Sequence, residues 1–545
     1  MKNNLILLLT IFSCFLQYSC DEDEFLSEDP VDEIFADNLY VDYDGFVNGL
    51  NAVYGLVRKE RESSNNVTRA AMWQMGCDNV FINNGTGTTS DFNDYNDLDS
   101  ENSLVTANFN WLYKIINASN TIINRAENDE VDWMGASDDE DDANQSYIIA
   151  QARLIRAWAY RHLKYGWGAV PLSLEEISGT TYRNDWERNS VDEINEQMEI
   201  DLTYARDNLD MIEETGFANS AVASTMLAEL YLEMGQDEDA ATEALRVIND
   251  GQYRLMTERF GVNESEDGCA YSDIFDNPTP EEGNEEVLWV LNNAYSDVVG
   301  SSYGYMKNTW ITYYGKDSKL KKLDADTLYT YNGGKGAGRI SVSDSAFYWY
   351  ESFDDRYSEY CVKKYYIYPT DASATTFDTL RYTSMDYDDP DDLEDNYLWP
   401  WVRKWEYVDP EVFANASLAG QYDDQIFMRL AETYLLAAEA LMNQGLTDEA
   451  ATYLNAVRTR SNASELSGDQ VTLEVILKER SRELVTEEYR RHTLVRTGKF
   501  YEWTLKYNPR IDESMINTWN DLLPIPQGII DANTGAVMEQ NPGYE

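Results

Sequence analysis

Basic residues are scarce in this chain. Lys and Arg number 42 against 99 Asp and Glu, a formal net charge of −57, and a surface of that sign repels nucleic-acid phosphates and anionic headgroups. Nucleic-acid binding is thereby excluded. Cysteine is scarce too: Cys14, Cys20, Cys77, Cys269 and Cys361 are too few and too irregularly spaced for a disulfide framework or a metal-ligand set. At most one pair can form among the last three. The two histidines, His162 and His492, lie far apart and outside any H-E-x-x-H arrangement, so His162 reads as a helix-face residue rather than a ligand. Past the N-terminus no apolar run reaches the roughly 20 residues that span a bilayer as a helix. What remains, 43% hydrophobic residues in a chain of 545, can bury a large core and exceeds the usual size of one domain. One large lobe with a second or inserted one is expected.

Catalytic patterns are thin as well. Gly300-Ser301-Ser302-Tyr303-Gly304 has the letters of a nucleophile elbow, but no strong strand precedes it and no convincing helix follows it. Gly333-Gly334-Lys335-Gly336 lacks the order of a phosphate loop. Carboxylates are so abundant that no pair can be singled out for glycoside hydrolysis without a measured separation. Acidic clusters at 388–396 and at Asp91, Asp94 and Asp97 leave calcium open as a ligand, although neither has EF-hand spacing. No other cofactor is expected, and the chain is read as non-catalytic.

The N-terminus carries the most specific short signal. Lys2 precedes the apolar run Leu5 to Phe12, too short to span a bilayer and of the length of a signal-peptide core. Ser19-Cys20 at its end resembles a lipobox, in which the cysteine is acylated. The Asp21-Glu22-Asp23-Glu24 run that follows looks like the acidic tag of Bacteroidetes surface lipoproteins. The expectation is an outer-membrane protein, lipid-anchored through Cys20 and facing the cell exterior.

Helical spacing dominates the ends of the chain. Helices are expected at 37–61, 111–125 and 147–164, and again from 190 to 250. A loop rich in Asn, Gly, Thr and Asp separates the first two, with Trp73, Phe81, Phe92 and Tyr95 expected to be exposed in it. The acidic run 129–142 reads as a solvated loop. Residues 227–249 and 437–459 repeat one pattern, with Gly235 standing before Ala240-Ala241 as Gly445 stands before Ala450-Ala451. That is the mark of tetratricopeptide-type hairpins. Val475, Ile476, Glu479, Leu484 and Val485 read as a further helix, whose Glu479, Arg480, Arg482, Glu483, Glu487, Arg490 and Arg491 stand at pairing distances and read as a solvated face. Between the two repeat copies, 255–425 has short strand pieces, glycine turns and more aromatic surface than a core of its size needs, as in 301–315 and 397–405.

The lipobox, the ELYLEMGQDEDAA helical pair, NEEVLWVLNNA, ERSRELVTEEYRRHTLVRTGK and the terminal LLPIPQGIIDANTGAVMEQNPGY together resemble the SusD/RagB family of nutrient-binding lipoproteins. His492-Thr493 departs from the aromatic and acidic residues usual in relatives. The resemblance implies a mainly α fold, a tetratricopeptide-like helical scaffold with a large loop-rich insertion containing short strands. It implies non-catalytic capture of an oligo- or polysaccharide and a SusC-like TonB-dependent transporter as partner. The alternatives are a peptide ligand, as in RagB-like relatives, or a surface-anchored glycoside hydrolase. The resulting plan is a signal peptide at 1–19, an acidic tether at 20–30, scaffold with ligand-side loops at 31–254, insertion at 255–425, and C-terminal hairpins and tail at 426–545. The resemblance sets the early loop beside the insertion. The expected ligand site is therefore Trp73, Asn93, Asp94 and Tyr95 with Tyr303, Trp310 and Tyr313, where Trp73 and Trp310 stack on sugar rings.

Overall fold

The computed structural model describes residues 36–544 apart from 65, 84–86, 180, 294–303, 318, 321–324, 371–375, 383–396 and 408–420. The expectations at Cys20 and the tether, at Ser302 and Tyr303, and in the acidic stretch 388–396 lie outside the described residues. In the first half the helical period yields α1 (Tyr43–Arg58), α2 (Ser103–Arg125), α3 (Asp138–Trp167), α4 (Val191–Asn208), α5 (Ser220–Glu233) and α6 (Asp237–Ile248). Local chemistry starts several of them. Asp42 accepts from the Gly45 amide, Asn102 from the Leu104 and Val105 amides, and Asn219 from the Val222 amide. Ser190 and Glu193 form a reciprocal capping box. The acidic run differs from its expected loop, because Asp138 to Asp141 form the first turn of α3. Carboxylates there oppose the positive end of the helix dipole and help the helix begin.

The second repeat copy forms α7 (Leu430–Asn443) and α8 (Thr447–Arg460), followed by α9 (Leu473–Leu484) and α10 (Arg490–Arg496). The two copies are neighbours in space as well as in pattern: α7 packs on α5 and α6. Thr225 and Thr433 meet hydroxyl to hydroxyl at 2.9 Å, and Asn443 donates to Asp237 at 2.8 Å. The repeated glycines end the first helix of each pair at positive φ, +71° for Gly235 and +78° for Gly445, with open space around both. They are there for the left-handed turn, not for room.

Strands are short, and among the described residues every sheet has two strands. β1 (Val80–Ile82) pairs antiparallel with β3 (Ile340–Val342), and β2 (Val287–Leu291) pairs antiparallel with β4 (Gln425–Arg429). The β2–β4 ladder is where the loop-rich segment leaves the helices and rejoins them. A hairpin, Tyr365–Pro369 with Phe377–Arg381, stands within that segment.

The charge-rich run of α9 and α10, expected on a solvated face, is buried instead. Glu483 binds Arg429 at 2.5 Å, Arg356 at 2.9 Å and also Arg460. Glu479 binds Arg356, Arg458 and Arg482 at 2.5–2.7 Å, and Glu286 binds Arg429 and Arg460. Arg490 grips Asp78 at 2.6 Å and so ties the early loop to α10. Helical spacing is the same for a solvated and a buried charge pair. What the spacing could not carry is that partners arrive from β4, α8 and residues 354–356, so that each charge taken out of water meets several of opposite sign. Burial alone would raise the Glu479 carboxyl, but Arg482, Arg356 and Arg458 outweigh it and hold it down to about 2. Glu483 is likewise held well below the usual carboxylate range by Arg460, Arg429 and Arg356 against its burial.

Candidate functional site

Two large rings of the expected platform are core residues. Trp73 is fully buried, stacked 5.1 Å from the His162 ring, 4.9 Å from His492 and edge-on to Trp167. Trp310 is 2% exposed, in the main core with Met306, Ile340 and Val342. Tyr95 is buried as well and donates its hydroxyl to the Gly76 carbonyl at 3.0 Å, and Phe81 and Phe92 are buried with it. The early loop is thus an aromatic seam packed under α3 and α10 rather than an exposed loop. The cause is chain-distant: His162 and His492 supply the walls around Trp73, and no local period announces them. His492, the departure from the family pattern, is itself one of those walls.

Asn93 and Asp94 stay half-buried. Asp94 accepts from the Asn96 amide and side chain, and the same loop bonds to the C-terminal tail through Tyr95 N to Met515 O at 2.8 Å and Asn96 to Ser514 O. The stem of the early loop does meet the insertion. Asn83 N bonds to Arg339 O, Arg339 N to Thr309 O, and Thr68 N to the Thr309 hydroxyl. The glycine turn at 333–338 lies against the 308–312 backbone, and a Cβ on Gly336 would stand 1.9 Å from the Ile311 carbonyl oxygen. Close backbone approach, not phosphate binding, is the reason for its glycines.

Among the described residues, Tyr313 is the expected site residue that keeps a partly exposed ring on the loop-rich half. The exposed Lys316 ammonium stands 4.9 Å from the Tyr313 ring and 5.7 Å from the Tyr397 ring, so one cation is flanked by two half-exposed phenols. Beneath them Tyr314 is buried, stacked on Trp401 at 5.6 Å and 13° and packed against Tyr366. Its hydroxyl donates to the Gly334 carbonyl. A second exposed pair on this half, Tyr331 and Phe377, meets with centroids 4.9 Å apart. Tyr397 and Lys316 escaped the sequence reading. Their signal was faint: Tyr397 opens the YLWPW run, and Lys316 stands one residue past the aromatic stretch 301–315. Much of the remaining aromatic surface packs small satellite cores of rings, Tyr314, Tyr329, Tyr366 and Trp401 in one and Phe81 with Trp399 in another, while Tyr348 and Phe353 are exposed.

Half-exposed rings around an ammonium can take the C–H face of a sugar while the cation and phenol hydroxyls bond to its hydroxyls. Acid–base chemistry finds less support. Glu60 has its carboxyl pushed up to about 7 by burial, as a general acid would. It is fully buried, though, accepting from Tyr489 at 2.9 Å and facing His162 at 3.8 Å. His162 and His492 are driven well below the usual histidine range by burial and are neutral neighbours 3.4 Å apart. Among the described residues no group of three or more His, Cys, Asp or Glu is disposed around a common metal position.

A cavity of about 1030 Å³ lies on the helical half. Tyr40, Tyr113, Tyr182, Ile529 and Met538 line it, and Arg183 caps the Trp186 ring at 4.3 Å. Its amides are engaged by the fold, Asn117 with the Ile177 backbone and Asn533 with the Trp186 backbone. The cleft is mostly apolar, with Lys114 and Asn110 also lining it and Tyr182 69% exposed.

The comparisons agree with this architecture. A family model described as the SusD family matches residues 285–544, and one described as starch-binding associating with outer membrane matches residues 25–232. A SusD-like protein of Formosa agariphila is 25% identical, covering 98% of this chain and 97% of its own. A crystal structure of a SusD homologue from Bacteroides thetaiotaomicron is similar with a TM-score of 0.72 at 21% identity, covering 93% of this chain and 98% of its own. A laminarin-binding SusD-like protein is similar with a TM-score of 0.69 at 20% identity, covering 93% of this chain and all of its own. This chain belongs to the SusD family and has its mainly helical, tetratricopeptide-like scaffold.

Proposed function

We propose that this protein captures an oligo- or polysaccharide at the outer membrane without cleaving it. The carrying observation is the exposed Lys316 between the rings of Tyr313 and Tyr397 on the loop-rich half. One similar structure is that of a laminarin-binding SusD-like protein, and one matching family model is described as starch-binding associating with outer membrane. Both support a glycan over a peptide. The buried, multiply paired carboxylates Glu286, Glu479 and Glu483 are out of reach of a ligand as acids or bases. A glycan array followed by chromatography of the retained ligand tests this reading. Retention of at least one glycan at unchanged length is expected; shortened products would replace it with hydrolysis.

The finer reading is delivery to a TonB-dependent transporter by a chain anchored through an acylated Cys20. Ala36, Leu39 and Tyr40, at the start of the described residues, line the cleft of the helical half. That cleft is assigned to the transporter. Mild detergent extraction of the native membrane should bring a barrel protein down with this chain, and Tyr182→Arg should reduce the yield of the pair. Repeated recovery of the lipoprotein alone would sink this part of the proposal.

A further inference from the structure

Cys269 and Cys361 are 92 residues apart in sequence, yet their sulfurs stand 3.5 Å apart. Each is fixed by its neighbours. Cys269 precedes the short helix Ala270–Asp276 and its amide donates to the Ser272 hydroxyl at 3.1 Å. The Cys361 amide donates to the Ser358 carbonyl, and its carbonyl accepts from the Arg403 amide at 2.8 Å. Met256, Tyr271, Ile274, Val287, Val290 and Ile426 pack around Cys361. The third thiol, Cys77, is buried in the main core, where burial pushes it far up and makes it inert.

The two facing thiols differ in access. Cys361 is buried. Cys269 is half-exposed and lines a cavity of about 800 Å³ with Tyr434, Arg460 and Asn462. The hydrogen bond from Cys361 lowers Cys269 to about 7, whereas the same contact and burial raise Cys361. The reachable thiol is therefore also the readily ionised one, and its neighbour waits behind it, as attack on an external disulfide requires.

We propose that Cys269 and Cys361 form a disulfide by exchange with an external disulfide, tying the start of the loop-rich segment to its middle. The Cys269 thiolate attacks one sulfur of the external disulfide, whose S–S bond breaks; the first external thiol leaves and a mixed disulfide on Cys269 remains. Cys361 then loses its proton, its sulfur attacks the Cys269 sulfur, and the second external thiol leaves carrying that proton. The two protein thiols are oxidised and the external disulfide is reduced by the same two electrons. Bonding brings the sulfurs from 3.5 Å to about 2.05 Å. The crosslink closes a long loop and so raises stability by restricting the unfolded chain.

The test uses the full chain, reduced, freed of reductant and incubated with oxidised glutathione. It is then quenched in acid, alkylated under denaturing conditions and mapped without reduction. One linked peptide joining Cys269 and Cys361 is expected, with Cys77 alkylated and the melting temperature several degrees above that of the reduced protein. Cys361→Ala should stop at a glutathione adduct on Cys269. A wild-type chain that also stops at that adduct, or leaves both thiols alkylated, would overturn the proposal.

Discussion

Replacing Glu483 by Gln should lower the unfolding free energy by about 3–5 kcal/mol, the usual cost of removing one partner from a buried ion pair. The substitution keeps the shape and removes the charge, so Arg429, Arg356 and Arg460 share fewer anions in a buried site. Each of those guanidiniums reaches a different part of the chain, and the loss is spread over the joint between β4, α8, α9 and residues 354–356. Urea denaturation checks this through a lower midpoint at unchanged slope. A midpoint equal to that of the wild type would mean that the lattice adds nothing. The pH dependence follows the same groups. The folded-state pKa of Glu479 is depressed to about 2 from 4.5, so its contribution is full above about pH 4.5 and is lost as pH falls toward 2. Acid unfolding of the wild type should fall in that window.

Trp73→Ala should cost about 3–5 kcal/mol, the range for deleting a large buried ring. The ring fills the space between α3 and α10, and its removal leaves His162, His492 and Trp167 without their common neighbour. Any loss of glycan retention should therefore appear only together with a large fall in melting temperature. A variant that melts like the wild type and no longer holds the glycan would return Trp73 to the ligand platform and contradict its assignment to the core.

The helical half was legible because its signals are local. Gly235 and Gly445, each followed by a pair of alanines, marked two hairpins, and the same glycines make the left-handed turns that end α5 and α7. The strand piece 287–291 was legible as a piece, whereas residues 80–82 stood in a stretch read as a loop and nothing local said that they pair with 340–342. The site was read less well. Trp73, Trp310 and Tyr95 stand in loop-like stretches rich in polar residues, and a loop of that composition leaves rings exposed unless distant segments cover them. Here α3, α10 and the β1–β3 ladder cover them. The same blindness hid the ion lattice of α9, since charge pairing along a helix has one spacing whether water or another guanidinium lies above it. Tyr313 was read as an exposed ring from a glycine-bounded stretch without apolar period, and its ring is partly exposed. Its companions Lys316 and Tyr397 required the fold.

The central claim is that the rings flanking Lys316 hold a glycan, and affinity electrophoresis in gels containing the polysaccharide selected on the array tests it most directly. Tyr313→Ala and Tyr397→Ala should each weaken retention about tenfold, the effect of roughly 1.4 kcal/mol from one lost ring contact, while melting temperatures move by no more than a few degrees. Retention equal to that of the wild type in both variants would contradict the account.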